Sequence, residues 1–191
     1  MEAILSEGEE VLASQVAVTT PVDRAAAFER LLDRGLDGHY RLAAVILGDP
    51  NEAEDAVHDA AVRAWHRFGS LREPERFDAW FGRILVNGCR DRLRARRRRP
   101  VIRVLPGLGD VDRGLAVADG TVPVEDRDTL ARAFAALEPD QVVIIVLRFY
   151  KDLTVADIAN RLQIPEGTVK SRLHHATRRL RLAIDGPGAV R

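Results

Sequence analysis

From residue 100 to residue 126 the chain reads PVIRVLPGLGDVDRGLAVADGTVPVED, with Pro100, Pro106, Pro123 and four glycines and no sustained helical or alternating pattern. A stretch of this composition is a linker. It divides the 191 residues into two parts, and on both sides of it the apolar residues recur at helical steps. Leu31, Leu32, Leu36, Tyr40, Leu42, Val45 and Ile46 form one such series, and Ala53, Ala56, Val57, Ala60, Ala64 and Trp65 a second. Phe77, Trp80, Phe81, Ile84 and Leu85 form a third. No hairpin-joined strand pair and no strand-helix-strand alternation is visible. The expected fold is therefore all-α: two small helical domains joined by a flexible linker. The expected boundaries are an acidic N-terminal extension (1–23), a first domain (24–99), the linker (100–126), a second domain (127–185) and a tail (186–191).

The 46% apolar content is enough for real cores, but the longest apolar run, Val142 to Leu147, falls far short of the ~18 residues a membrane span needs. The start of the chain carries Glu2, Glu7, Glu9 and Glu10 and no Lys or Arg before Arg24, so it lacks the basic start of a secretory signal. A cytoplasmic protein is expected. Cys89 is the single cysteine, which excludes an intramolecular disulfide and a thiolate zinc site.

The 29 basic and 29 acidic residues cancel, which at face value argues against nucleic acid as a partner. The distribution says otherwise. Residues 79–99 carry eight bases against Asp91 alone, and residues 127–191 carry eleven bases against seven acids, so positive charge collects in two places. The N-terminal 23 residues hold five acids and no base, and the linker is net −3.

In the second domain, Thr154 with Asp157 three residues later is a capping box that opens a short helix through Ile158, Ala159 and Leu162. Gln163 and Ile164 make a tight turn. Pro165 suits the first position of a second helix striped by Val169, Leu173, Ala176 and Leu180. Helix, turn, helix is a reader of duplex DNA. Opposite the apolar stripe lie Ser171, His174, His175 and Arg178, flanked by Lys170 and Arg172, a polar basic face suited to a major groove about 12 Å wide. His174 and His175 are adjacent and point about 100° apart, which does not suit a shared metal. His39, His58 and His66 are scattered, and read as surface or hydrogen-bonded residues. No phosphate loop, nucleophile elbow or HExxH motif occurs, so neither an enzyme nor a cofactor is expected.

In the first domain, Gly48-Asp49-Pro50 ends one helix and begins the next, whose first turn holds Glu52, Glu54 and Asp55 as the helix dipole prefers. Asp55, His58, Asp59 and Val62 form a polar strip on that helix that a basic partner helix could use. The segment FDAWFGRILVNGCRDRLRARRRRP is an amphipathic helix with a basic end. Phe77, Trp80 and Phe81 offer platforms for unpaired bases, although their helical spacing suits core packing better. The polar loop from Gly69 to Arg76 stands beside this helix, well placed to hold an extruded base.

Taken together, ILGDPNEAEDAVHDAAVRAWHRF, then ERFDAWFGRILVNGCRDRLRARRRR, then LTVADIANRLQIPEGTVKSRLHHATRRLR beyond the linker resemble the bacterial RNA polymerase sigma factors of the extracytoplasmic-function (ECF) group, within the sigma-70 family. The likeness covers residues 25–99 (region 2) and 127–184 (region 4). It implies a non-catalytic initiation subunit that binds core RNA polymerase and directs it to promoter DNA. The helix from Asp55 to Trp65 would dock on the polymerase clamp, through Asp55, His58, Asp59 and Arg63. Phe77, Arg83, Asn87, Arg90 and Arg94 would take the melted minus-10 strand. Lys170, Ser171, Arg172, His174, His175 and Arg178 would read the duplex minus-35 element. The linker would thread toward the active-site cleft, where its acidity suits mimicry of nucleic acid.

The chain departs from the family pattern at four places. Gln163 stands where the turn usually has Gly, at a cost on the order of 1 kcal/mol if positive φ is required. His175 replaces a usual Arg, and His58 and Asp59 stand where Gln and Glu are commoner. The helix opening at Pro139 carries the wholly apolar VVIIVL, which must be buried or covered by a partner. The two readings are domain core, or part of a surface for an anti-sigma protein, a partner that the resemblance also implies. A free-standing helix-turn-helix regulator is the alternative function, and it has no need of the basic, aromatic first domain; an adaptor or anti-sigma-like protein would need no basic recognition face.

Overall fold

The computed structural model describes residues 21–98 and 124–185, and every regular element among them is helical. The N-terminal domain holds α1 (Pro21–Asp33), α2 (Leu36–Leu47), α3 (Pro50–Arg67) and α4 (Phe77–Arg98), with two 3-10 turns, Phe68–Ser70 and Pro74–Arg76, between α3 and α4. The C-terminal domain holds α5 (Val124–Ala135), α6 (Pro139–Ile145), a π-helical turn (Val146–Tyr150), α7 (Val155–Leu162) and α8 (Glu166–Asp185). Helix α5 begins inside the expected linker. The acidic extension through residue 20, linker residues 100–123 and the tail 186–191 lie outside the described residues.

Local chemistry sets the helix ends. Gly48 closes α2 at φ +67°, its N–H reaching Ala44 O at 2.8 Å, a conformation that costs glycine nothing. Asp49 then caps α3 by accepting from the N–H groups of Asn51 (2.9 Å) and Glu52 (3.1 Å). The apolar stripes of α2, α3 and α4 meet in a core of Leu42, Ala53, Ala60, Phe81, Leu85 and Val86, all but inaccessible to water. Phe28 joins this core edge-on to Trp65, Phe68 and Phe77, with ring centroids 5.2–5.6 Å apart.

In the C-terminal domain the expected capping box is present. Asp157 N donates to Thr154 Oγ1 and Thr154 N to Asp157 Oδ2, both at 3.1 Å. Gln163 turns the chain at φ +55°, ψ +47°, the left-handed geometry that glycine would take without strain. Its side chain compensates by donating to Asn160 O at 2.8 Å. Pro165 stands one residue before α8, and its carbonyl accepts from Thr168 N and Val169 N.

The apolar run resolves in favour of core. All six residues from Val142 to Leu147 are buried, so the run is not an open anti-sigma surface. It belongs to one continuous apolar cluster with both domains, because α6 and α7 pack on α4 and the π-helical turn packs on α2. The two domains are thus in contact, an arrangement that helix periodicity could not foresee.

Candidate nucleic-acid and polymerase interfaces

Helix α3 presents Asp55, His58 and Arg63 to solvent, with Val62 45% exposed beside them. Asp59 is different. It is half-buried and ion-paired with Arg92 of α4, so part of its charge is spent inside the domain. Glu52 is likewise paired with Arg96, which also donates to Leu47 O at 3.2 Å. Two arginines of the basic helix therefore fasten α4 to α3, Arg92 at its middle and Arg96 at the α2–α3 corner.

The residues expected to take the minus-10 strand divide in two. Phe77 is 3% exposed, stacks on Phe81 at 5.8 Å with planes 12° apart, and cannot offer its face to a base in this structure. The assignment that the resemblance implied for it is corrected to core, as its helical spacing suited, and the reason is its cluster with Phe28 and Phe68. Trp80 remains half-exposed and leans on Phe77 at 5.8 Å. Arg83, Asn87, Arg90 and Arg94 do share one face of α4, as steps of three and four require. On that face Asn87 Oδ1 and Arg90 Nε are buried without a hydrogen-bond partner. Arg94 donates from Nη2 to Asp140 Oδ1 of α6 at 2.7 Å.

On α8, Val169 and Ala176 are buried while Ser171, His174, His175, Lys170 and Arg178 are exposed, so the expected polar face is solvent-facing. The His174 and His175 rings meet edge-to-face at 5.7 Å. Ser171 Oγ donates back to Thr168 O at 3.0 Å. Arg172 leans away from the face, its Nη1 3.0 Å from Asp140 Oδ2.

Two residues escaped the sequence reading because only packing brings them into play. Glu138 and Asp140 flank Pro139 and look like ordinary first-turn acids; in the structure they bind arginines of both α4 and α8. The hydrogen bond from Arg97 above all, then that from Arg179, holds the Glu138 carboxyl below the usual carboxylate range. His39, one of the scattered histidines, is hydrogen-bonded rather than on the surface: it is 5% exposed, and its Nε2 donates to Asp78 Oδ1 at 3.0 Å. Burial lowers its pKa despite the pull of Asp78, and Lys151 and Arg161 of the C-terminal domain push the same way. Burial also pushes the Cys89 thiol up to about 12, making it unreactive. No group of His, Cys, Asp or Glu placed to hold a metal, and no helix long and apolar enough to cross a membrane, occurs among the described residues.

Comparison with known proteins matches residues 31–99 to the Sigma-70 region 2 family and residues 133–182 to the Sigma-70 region 4 family. The chain is 35% identical over 178 residues to the ECF RNA polymerase sigma factor SigL of Mycobacterium tuberculosis, covering 89% of this chain and 98% of that protein. It is 31% identical over 166 residues to the ECF RNA polymerase sigma factor SigW of Bacillus subtilis, covering 81% and 87%. Among solved structures, the fold is similar to the sigma factor RpoE in complex with the anti-sigma factor NepR from Bartonella quintana, with TM-score 0.59, 24% identity and 84% and 98% of the two chains covered. It is also similar to CnrH in complex with the cytosolic domain of CnrY, with TM-score 0.56, 22% identity and 86% and 96% covered. With both helical domains matched in order and a curated relative covered over nearly its whole length, the chain belongs to the sigma-70 family of RNA polymerase sigma factors, in its extracytoplasmic-function group.

Proposed function

We propose that the chain binds core RNA polymerase, carries it to promoter DNA and opens the minus-10 element without catalysing a reaction itself. The observation that carries this reading is the placement of a solvent-facing basic recognition face on α8 and a basic, polar face on α4 within one chain. Lys170, Ser171, His174, His175 and Arg178 would read the duplex minus-35 element, and Arg172 would join them on leaving Asp140. Arg83, Asn87, Arg90 and Arg94 would hold the unpaired minus-10 strand, the arginines on phosphates and Asn87 on a base. The exposed Asp55, His58 and Arg63 strip, with Asp59 at its edge, would dock on the polymerase clamp. A free-standing regulator would need no such strip and no first domain.

A role at polymerase and chromosomal DNA would put the protein in the cytoplasm, and an anti-sigma protein is a further proposed partner. Run-off transcription with purified core polymerase tests the central reading. Specific initiation should require both the protein and core; tight specific duplex binding without core, and no transcription with it, would overturn the reading.

A further inference from the structure

Four arginines from the two basic helices converge on two carboxylates at the start of α6. Asp140 takes Arg94 on Oδ1 and Arg172 on Oδ2, and Glu138 takes Arg97 on Oε2 and Arg179 on Oε1. Arg94 and Arg97 extend the same face of α4 as Arg83, Asn87 and Arg90. Each carboxylate thus offers its two oxygens to two guanidinium groups, as the free oxygens of a phosphodiester would. One guanidinium in each set comes from the other domain and one from its own. When α4 departs, Asp140 keeps Arg172 and Glu138 keeps Arg179, so separation strands neither acid without a cation. On the same face of α4, Asn87 Oδ1 and Arg90 Nε are buried and unsatisfied, a cost that an incoming polar strand would relieve.

We propose that the C-terminal domain is this chain's own competitor for the minus-10 strand: Glu138 and Asp140 occupy on Arg97 and Arg94 the positions that DNA phosphates take, so that domain closure and strand capture exclude each other. The proposal rests on the assignment of the α4 face to single-stranded DNA. Apparent affinity for the strand is then reduced by the fraction of molecules that are closed.

The test uses the full chain labelled at introduced cysteines, Glu54→Cys and Asn160→Cys, both at exposed positions in different domains, with native Cys89 buried. Energy transfer reports closure, and anisotropy of a labelled, mixed-sequence single-stranded oligodeoxynucleotide reports binding. Glu138→Gln with Asp140→Asn should lower transfer and tighten binding about tenfold at low salt. A charge-matched control on the exposed end of α1, Glu29→Gln with Asp33→Asn, should leave transfer unchanged and tighten binding no more than about twofold. Addition of oligonucleotide to the unmodified sites should lower transfer over the concentrations at which it binds. Unchanged transfer and affinity in the Glu138 and Asp140 variant, or a control that matches it, overturns the proposal. Binding that depends on Arg94 and Arg97 while transfer stays constant overturns the competition and leaves the α4 assignment standing. Binding that is indifferent to Arg94→Ala with Arg97→Ala overturns the assignment itself.

Discussion

The guanidinium of Arg161, on the first helix of the helix-turn-helix, lies over Gly82 of α4, with Nη1 3.1 Å from the point where a Cβ on Gly82 would stand. A helix interior ordinarily disfavours glycine by about 1 kcal/mol relative to alanine. Here its missing side chain lets the C-terminal domain close over α4, with the ring of His39 3.5 Å from the same point.

Gly82→Ala should therefore be tolerated, because the atom in its way is the end of a flexible side chain. Thermal unfolding should show a gain of at most about 1 kcal/mol from helix propensity. Gly82→Leu should instead part the domains and lower interdomain energy transfer, while far-ultraviolet circular dichroism keeps its helical signal. Retention of the closed distance in Gly82→Leu would show that this contact does not govern closure.

Acidification should loosen the domain interface before it reaches the carboxylates. The pKa of His39 is lowered below its ordinary 6.5, so the open or unfolded chain takes up the proton first. The stabilising contribution of neutral His39 is complete above pH 6.5 and is lost as pH falls through the window between that value and the depressed one. A charged His39 would face Asp78 on one side and Lys151 and Arg161 on the other. Glu138 adds a second loss at lower pH, since its lowered pKa means its links to Arg97 and Arg179 persist until the carboxylate protonates. Transfer efficiency titrated downward from neutral pH should fall in two steps, and His39→Gln should remove the upper one.

Gln163→Gly should stabilise the C-terminal domain by about 0.5–1 kcal/mol, the relief of left-handed strain exceeding both the extra backbone entropy and the loss of the bond to Asn160 O. Gln163→Val should destabilise it, since a β-branched residue resists φ +55°. Denaturant midpoints of the three proteins give the order directly.

On the polymerase strip the structure separates neighbours. Asp55→Ala and His58→Ala should weaken binding to core polymerase in a pull-down and leave the melting temperature alone. Asp59→Ala should also cost about 0.5 kcal/mol of stability, because it breaks the half-exposed pair with Arg92. Equal core affinity in the Asp55→Ala protein would remove the strip from the docking site.

On the DNA side, Ser171→Ala or His174→Ala should relax minus-35 preference in transcription from variant promoters. Arg83→Ala or Arg90→Ala should weaken promoter binding more evenly across sequences and reduce its salt dependence, the mark of a phosphate contact. A sequence-selective loss from Arg83→Ala would reassign that residue to a base.

The sequence by itself determined the helical class and several of the helix ends, although it ran Leu31 to Ile46 as one series where the structure has α1 and α2. Periodicity, the Gly48-Asp49-Pro50 junction, the Thr154 and Asp157 box and the turn at Gln163 are local features, written in residues a few positions apart. The exposed face of α8 was legible for the same reason, because a helix with one apolar stripe has only one place to put its polar side. Tertiary structure decided the rest: that Phe77 packs against Phe28 and Phe68, that Asp59 is held by Arg92, and that Val142 to Leu147 are buried in a cluster both domains share. It also decided that Arg94 reaches Asp140, 46 residues away, and so covers part of a face that the sequence presents as open. Spacing along a helix states which side chains share a face; which partner that face meets depends on how the domains pack, and contacts between residues so far apart leave no period to read.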